Sequence, residues 1–342
     1  MYLKGLITAL KSPNKKAIYQ LTADAKSILR FNFRYAAIKS GLADALREPA
    51  TKESLDRELS VVRPELLNAL LDLGLALGEL TLRGDVYRTR GRFFHNLATD
   101  DGDSMAAVVE AFVTYYNSVY RHLPSRLAGE PPGDYLNEIG KVVARFSRLG
   151  EPYVESFLKD VLSGRQTLRV LDVGCGSGGY LRLCSRINAR ATGVGLERDG
   201  DVAALARENL GRWGIEDRFH IVTGDLRREA EEVGTDFHAL FLINALYYTP
   251  PHERTAMFQS FRECLADDGK LIIVSHFQGR GKDIYAANLD AATCSIQGCW
   301  PLPDTDETKG QLEQAGFSRL RVSRLMPLSS FQGIVAHTAP EA

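Results

Sequence analysis

The run Val170-Leu171-Asp172-Val173-Gly174-Cys175-Gly176-Ser177-Gly178-Gly179-Tyr180-Leu181 is the part of the chain best suited to chemistry. Its apolar start reads as a strand, its end as the opening of a helix, and alternate glycines occupy the turn between them. Without Cβ atoms those glycines let the backbone approach a ligand, and the first helical amides remain free to face it. Asp172 brings an acid to the strand's end. Nineteen residues after Gly178, Glu197 closes the next apolar run, where a carboxylate is able to accept both hydroxyls of a ribose. A third run ends in Gly224-Asp225, a carboxylate on the same edge that can accept a hydrogen bond from an adenine amine.

The elements that must position these groups alternate between strand and helix. Residues 168–173, 191–196, 219–223, 237–243 and 270–276 are short apolar runs, separated by helical patterns such as 202–213 and 253–265. That alternation predicts a parallel sheet with helices on both faces. A helix near 305–315 then precedes two strands, 319–324 and 331–337, joined by a short turn. Upstream, Ala36, Ala37, Leu42, Ala45 and Leu46 form one helical stripe, Thr51 suits the N-cap of a helix reaching Leu59, and Pro64 suits the first turn of a helix through Leu77. Residues 79–89 read as two strands turning at Gly84-Asp85, so the order is that of a winged helix. A helix over about 104–120 follows, residues 129–133 break the chain, and a second helical stretch runs from 135 to about 162. The expected parts are a helical, winged-helix domain over 1–120, a helical linker over 121–164 and an α/β domain over 165–342.

Composition is that of an ordinary globular chain: 342 residues, 44% hydrophobic and 25% charged, long enough for two domains. A net charge of −1 removes any general argument for nucleic acid as a partner. The basic excess lies in residues 1–40, where eight Lys or Arg face Asp24 alone, and reads as a solvated helical arm. Five cysteines without a C-x-x-C motif indicate neither a disulfide framework nor zinc and suit a reducing compartment. Lysines interrupt the first apolar runs before they reach signal-peptide length, and no run approaches the roughly 18 apolar residues of a membrane span, so a cytoplasmic protein is expected.

Two nucleoside ligands remain, a nicotinamide dinucleotide and S-adenosylmethionine. Leu171-Asp172-Val173-Gly174-Cys175-Gly176-Ser177-Gly178 resembles motif I of the class I S-adenosylmethionine-dependent methyltransferases. Glu197, Gly224-Asp225 and Leu265-x-x-x-Gly269-Lys270-Leu271 fall where that family keeps its later motifs, and the terminal strand pair resembles its antiparallel seventh strand. Ala36-Ala37-Ile38-Lys39-Ser40-Gly41-Leu42-Ala43-Asp44-Ala45-Leu46 and residues 63–90 resemble the winged-helix dimerisation domain of the small-molecule O-methyltransferases of plant phenylpropanoid and bacterial natural-product pathways. The resemblance implies a Rossmann-like fold with a mostly parallel seven-stranded sheet, S-adenosyl-L-methionine as cofactor, a small-molecule acceptor in secondary metabolism and a homodimer. It implies that Gly174, Gly176 and Gly178 shape the loop around the methionine end, Asp172 orients it, Glu197 holds the ribose, Asp225 and Leu226 the adenine, and Asn244 the mouth of the methyl-donor site. DNA binding, the rival use of a winged helix, is disfavoured because residues 64–77 hold Glu65 and Asp72 but no Lys or Arg. No metal is expected, since no nearby His or Cys pair completes a ligand set with Cys294 and Cys299.

One departure bears on mechanism. The family usually has a catalytic His after the fourth strand, in a Leu-His-x-Trp pattern, whereas this chain reads Asn244-Ala245-Leu246-Tyr247-Tyr248-Thr249-Pro250-Pro251-His252. Tyr247 stands in the His position, and a phenol of ordinary pKa, near 10, is a poor base at neutral pH. An acidic phenol, a thiol, an amine or a carbon nucleophile suits such a site. A replacement base must come from the same sheet edge: His276, ending the fifth strand, is the first candidate, and His252 a weaker one. Cys294, Cys299 and Trp300 lie where the family has pocket-lining residues. Two other readings stay open, a member using the cofactor for non-methylating chemistry and a non-catalytic regulatory protein.

Overall fold

A computed structural model of the chain describes residues 13–97, 102–134, 142–143, 145–225 and 232–338. The chain divides into two compact units, one of residues 1–121 with 138–149 and one of residues 122–137 with 150–342.

The first unit opens with a 25-residue helix, Lys15–Lys39. The single stripe expected over 36–46 is split. Gly41 takes φ 78°, a left-handed turn that glycine adopts without the Cβ penalty, and a separate short helix, Leu42–Ala45, follows. Thr51 does cap the Lys52–Glu58 helix, its hydroxyl accepting the Ser54 N–H at 3.2 Å. Pro64 starts the Pro64–Leu77 helix, and Gly78 ends it at φ 71°. Strands β1 (Ala50–Thr51), β2 (Leu80–Arg83) and β3 (Val86–Thr89) form one sheet in the order β1-β3-β2. Two residues are too few for β1 to show a period in sequence. Phe33, Ala37, Leu55, Leu71 and Leu80 build this unit's core, and Arg34 grips buried Glu79 through two bonds of 3.0 Å.

The helix expected over 104–120 is instead a run of three segments, Gly102–Glu110, a π-helical Ala111–Tyr116 and Asn117–Leu127. A widened turn inserts a residue without breaking the apolar stripe, which is why the pattern reads as one helix. Of the stretch expected from 135 to 162, residues 135–141 and 144 lie outside the described residues. The rest is not continuous: a 3₁₀ turn, Arg148–Gly150, leads into the Glu151–Leu162 helix, whose first turn holds Pro152.

The second unit is built on a seven-stranded sheet. Its strands are β4 (Arg169–Val173), β5 (Thr192–Glu197), β6 (Phe219–Thr223), β7 (Phe237–Ile243), β8 (Leu265–His276), β9 (Ser318–Arg324) and β10 (Phe331–His337), in the order β6-β5-β4-β7-β8-β10-β9. The first five are parallel, and β10 runs antiparallel to both β8 and β9. This is the mostly parallel, Rossmann-like methyltransferase sheet that the family resemblance implies. Val170 and Leu171, neighbours in β4, enter two separate buried clusters, one for each face of the sheet, as a period of two demands. Asp172 pairs in register with Gly195 of β5 and Phe241 of β7, so the carboxyl ends of these strands lie together. One helix, Ile284–Thr293, was not expected. Its Ala-rich sequence shows no apolar stripe, and it starts where the Asp283 carboxylate accepts the N–H groups of Tyr285 and Ala286. Among the described residues no helix is long and apolar enough to cross a membrane.

Candidate active site

After β4 the chain turns through Gly174, Gly176 and Gly178 at φ 73°, 53° and 83° and enters the Gly179–Ile187 helix. Each angle would cost another L-residue about 1–2 kcal/mol, which accounts for the alternate glycines. The Gly174 and Cys175 N–H groups donate to the Leu196 carbonyl at 2.8 and 3.1 Å, tying the loop to the end of β5. Buried Asn209, on the Gly200–Trp213 helix, donates its side-chain amide to the Ser177 carbonyl at 3.1 Å. The sequence reading missed this residue, although a polar side chain continuing the every-third-residue stripe of Ala203 and Ala206 was a usable signal. A Cβ on Gly176 would meet no heavy atom within 4 Å, so the loop presents an open backbone face.

Glu197, half-buried at the end of β5, clamps the same loop. One carboxylate oxygen accepts the Gly176 N–H and the other the Asp199 N–H, both at 3.0 Å. Each oxygen keeps a further lone pair. Asp172 is 1% exposed, and one of its oxygens has no hydrogen-bond partner among the described residues. Burial first, and the nearby Glu197 charge second, push its pKa up to about 7. Burial also pushes the Cys175 and Cys184 thiols up, leaving both unreactive. The Gly224 N–H donates to the Glu197 carbonyl at 2.9 Å, which brings Asp225 to the end of β5. Leu226 lies outside the described residues.

Across the sheet, Asn244 follows β7 at φ 53°, its N–H donating to the Val274 carbonyl at 2.7 Å and its side-chain oxygen buried without a partner among the described residues. His276 ends β8 half-buried, its ring 4.7 Å from that of Phe331 and its Nδ1 buried without a partner among the described residues. Burial lowers its pKa, outweighing the opposite pull of Asp283, so the imidazole is neutral at pH 7. Tyr247 is 9% exposed and packs with Ala286, Leu289 and Leu302. Its ring lies 4.8 Å from that of Tyr248, the more exposed of the two phenols, whose pKa burial of the hydroxyl end pushes up to about 12.

The segment bearing Trp300 is stitched to this loop. The Trp300 N–H donates to the Tyr247 carbonyl at 2.8 Å, and fully buried Arg254 donates to the carbonyls of Thr249 at 3.2 Å and Pro301 at 3.5 Å. Nothing in the sequence singles out Arg254, since an arginine near a helix start normally faces water. Cys299 is half-buried with its thiol pushed up to about 12, Cys294 is exposed, and His252 lies at the surface with its ring 6.5 Å from that of Trp300. Among the described residues no group of His, Cys, Asp or Glu is arranged to hold a metal ion.

Asp172, Asn244 and His276 thus bring buried polar atoms without a partner among the described residues to the carboxyl ends of β4, β7 and β8. Such an atom costs about 1–3 kcal/mol, and a ligand at this edge of an open α/β sheet offsets that cost. A nucleoside carrying an amino acid fits: the loop offers backbone to its chain, Glu197 spare lone pairs to its ribose and Asp172 an acid to its ammonium.

The sheet order, the reversed last strand and the glycine loop after the first strand define the class I methyltransferase fold. Residues 170–269 match the family model described as a methyltransferase domain. Over 77 residues, 22% of this chain and 34% of the relative, the sequence is 36% identical to a protein-L-isoaspartate O-methyltransferase of Methanoculleus marisnigri. The chain spans about a third to a half of the length of the curated relatives it matches. Among solved structures, PigF with SAH is similar with a TM-score of 0.77 at 15% identity, covering 95% of this chain and 100% of that one. The mitomycin 7-O-methyltransferase MmcR is similar with a TM-score of 0.76 at 16% identity, covering 95% and 98%. At these identities the likeness speaks for the fold. Through residues 170–269 the chain carries a methyltransferase domain, set in the class I methyltransferase fold.

Proposed function

We propose that this protein is a homodimeric, cytoplasmic enzyme that transfers the methyl group of S-adenosyl-L-methionine to a small-molecule acceptor of secondary metabolism. The observation that carries this reading is the open glycine loop after the first strand of a matched methyltransferase domain, with the buried Asp172 carboxylate, one oxygen unpartnered among the described residues, at that strand's end. The cofactor supplies a methyl group already activated by a sulfonium. Gly174, Gly176 and Gly178 lay bare backbone along the methionine end, Asp172 faces its ammonium, Glu197 receives the ribose hydroxyls, Asp225 and Leu226 hold the adenine, and Asn244 stands at the mouth of the methyl-donor site.

On the acceptor side Tyr247 shapes the wall and His276, at the end of β8, is the neutral base that takes a proton. Its lowered pKa makes it a weak base, so an acceptor already nucleophilic near neutral pH is favoured, with alignment and exclusion of water supplying most of the acceleration. The likeness to MmcR, a mitomycin 7-O-methyltransferase, supports an acceptor from secondary metabolism. Ile18, Tyr19, Leu21, Ile28 and Leu29 stand exposed on the Lys15–Lys39 helix, an apolar surface that a second copy would cover through a dimerisation domain over 1–120. The test is incubation with methyl-labelled cofactor and panels of phenols, aryl amines and thiols, read by mass spectrometry. Label in one acceptor class is expected; binding of the cofactor with no transfer to any acceptor would favour non-methylating or regulatory use of the site.

A further inference from the structure

We propose that Asp172 selects the cofactor by its α-ammonium, standing protonated until that cation is seated and then releasing its proton to solvent. The inference rests on the S-adenosylmethionine reading above and adds a proton to the binding reaction.

The two carboxylates near the glycine loop have opposite surroundings. Glu197 is half-exposed and accepts two backbone N–H groups. Asp172 is 1% exposed, and one oxygen receives no hydrogen bond. The titratable groups that face it are Glu197 from β5, Cys175 from the loop, and Tyr180 and Cys184 from the Gly179–Ile187 helix. Burial raises both thiols and the phenol, so all three stay neutral between pH 6 and 8. The one fixed charge near Asp172 is therefore negative, and no Lys or Arg pairs with it among the described residues. Its pKa, pushed up to about 7, agrees with this geometry.

A cation seated at the loop reverses the balance. The ionised form of Asp172 is then favoured, its pKa falls and its proton passes to the buffer, while the ligand's ammonium keeps its own protons. The sign follows: affinity for an ammonium-bearing ligand rises with pH up to about the free-state pKa of Asp172 and levels off above it. A nucleoside without the amine gains no counter-charge and releases no proton.

The test is titration calorimetry of the full-length protein with S-adenosylhomocysteine at pH 6, 7 and 8, each in two buffers of contrasting ionisation enthalpy, such as phosphate and imidazole. Release of about 0.9 proton at pH 6, about 0.5 at pH 7 and about 0.1 at pH 8 is expected, from the protonated fraction of a group with pKa near 7. 5′-Methylthioadenosine, which lacks the amine, should bind without release at every pH. Asp172→Asn should bind S-adenosylhomocysteine more weakly, with no release and no pH dependence. Buffer-independent heats at pH 6 in the unaltered protein, equal release with methylthioadenosine, or release persisting in Asp172→Asn would each overturn the proposal. Binding without proton release would leave the cofactor reading standing, whereas no binding of S-adenosylhomocysteine at any pH would overturn both.

Discussion

Replacing Glu197 with Gln separates the acid's charge from its shape. In the structure each carboxylate oxygen accepts one backbone N–H at 3.0 Å, from Gly176 and from Asp199. A Gln has one oxygen, so its amide must face one of those N–H groups, breaking that bond and leaving a donor unpaired at a cost of about 1–3 kcal/mol. The Gly174 and Cys175 bonds to Leu196 still hold the loop's first half, so the loss falls mainly on the half that Gly176 presents to the ligand. Glu197→Gln should therefore raise the Kd for S-adenosylhomocysteine by about five- to a hundredfold in calorimetry. The unpaired donor should also lower the urea-unfolding free energy, by up to about 1–3 kcal/mol and by less where water reaches the half-exposed site. Loss of its negative charge should also lower the pKa of Asp172, reducing the proton release expected at pH 7. An unchanged Kd would refute the assignment of Glu197 to both loop and ribose.

Gly176→Val should fold, because a Cβ there meets no protein atom and the φ of 53° costs about 1–2 kcal/mol, yet it should lose thermal stabilisation by S-adenosylhomocysteine; a retained shift would place the ligand elsewhere. Light scattering at micromolar concentration should show a homodimer for the full chain and dissociation for Leu21→Asp combined with Ile28→Asp, both exposed on the Lys15–Lys39 helix; a monomeric unaltered chain would contradict the dimer. With an acceptor in hand, Tyr247→Phe should keep most of the rate, since the ring and its packing on Ala286 and Leu302 remain, whereas His276→Ala should lose about 10²- to 10⁴-fold if that residue takes the acceptor's proton. The acidic limb of the rate profile should then lie below the ordinary His value of 6.5, because burial lowers the pKa of His276 and the neutral form is the active one; a large loss in Tyr247→Phe alone would assign the proton to the phenol.

The glycine turn and the strand-end acids were legible because their pattern is local. Alternate glycines at positive φ and acids at the ends of apolar runs fix the glycine turn, Asp172 and Glu197 in sequence, and the β4–β8 pattern follows from short runs of the right length. Glu197's second task, bonding Gly176 across 21 residues, depends on the pairing of β4 with β5 and leaves no local mark. The acceptor side was less legible for the same reason. Ile284–Thr293 has no stripe to reveal it, Arg254 acts through carbonyls that any residue possesses, and the burial that separates Tyr247 from Tyr248 comes from Ala286 and Leu302, nearly 40 and 55 residues away. The split of the first helical stripe at Gly41 and the π-helical segment show the remaining limit, since an apolar period survives both a short break and a widened turn.

The most direct test of the cofactor assignment is thermal or chemical unfolding of the full-length protein with S-adenosylhomocysteine or with NAD, each over a concentration series. Stabilisation by S-adenosylhomocysteine reaching about 2.7 kcal/mol at 100 times its Kd, with none from NAD, is the expected result. Stabilisation by NAD and none by S-adenosylhomocysteine would show that the glycine loop and its two acids serve a dinucleotide, and the methyl-transfer reading would fall with it.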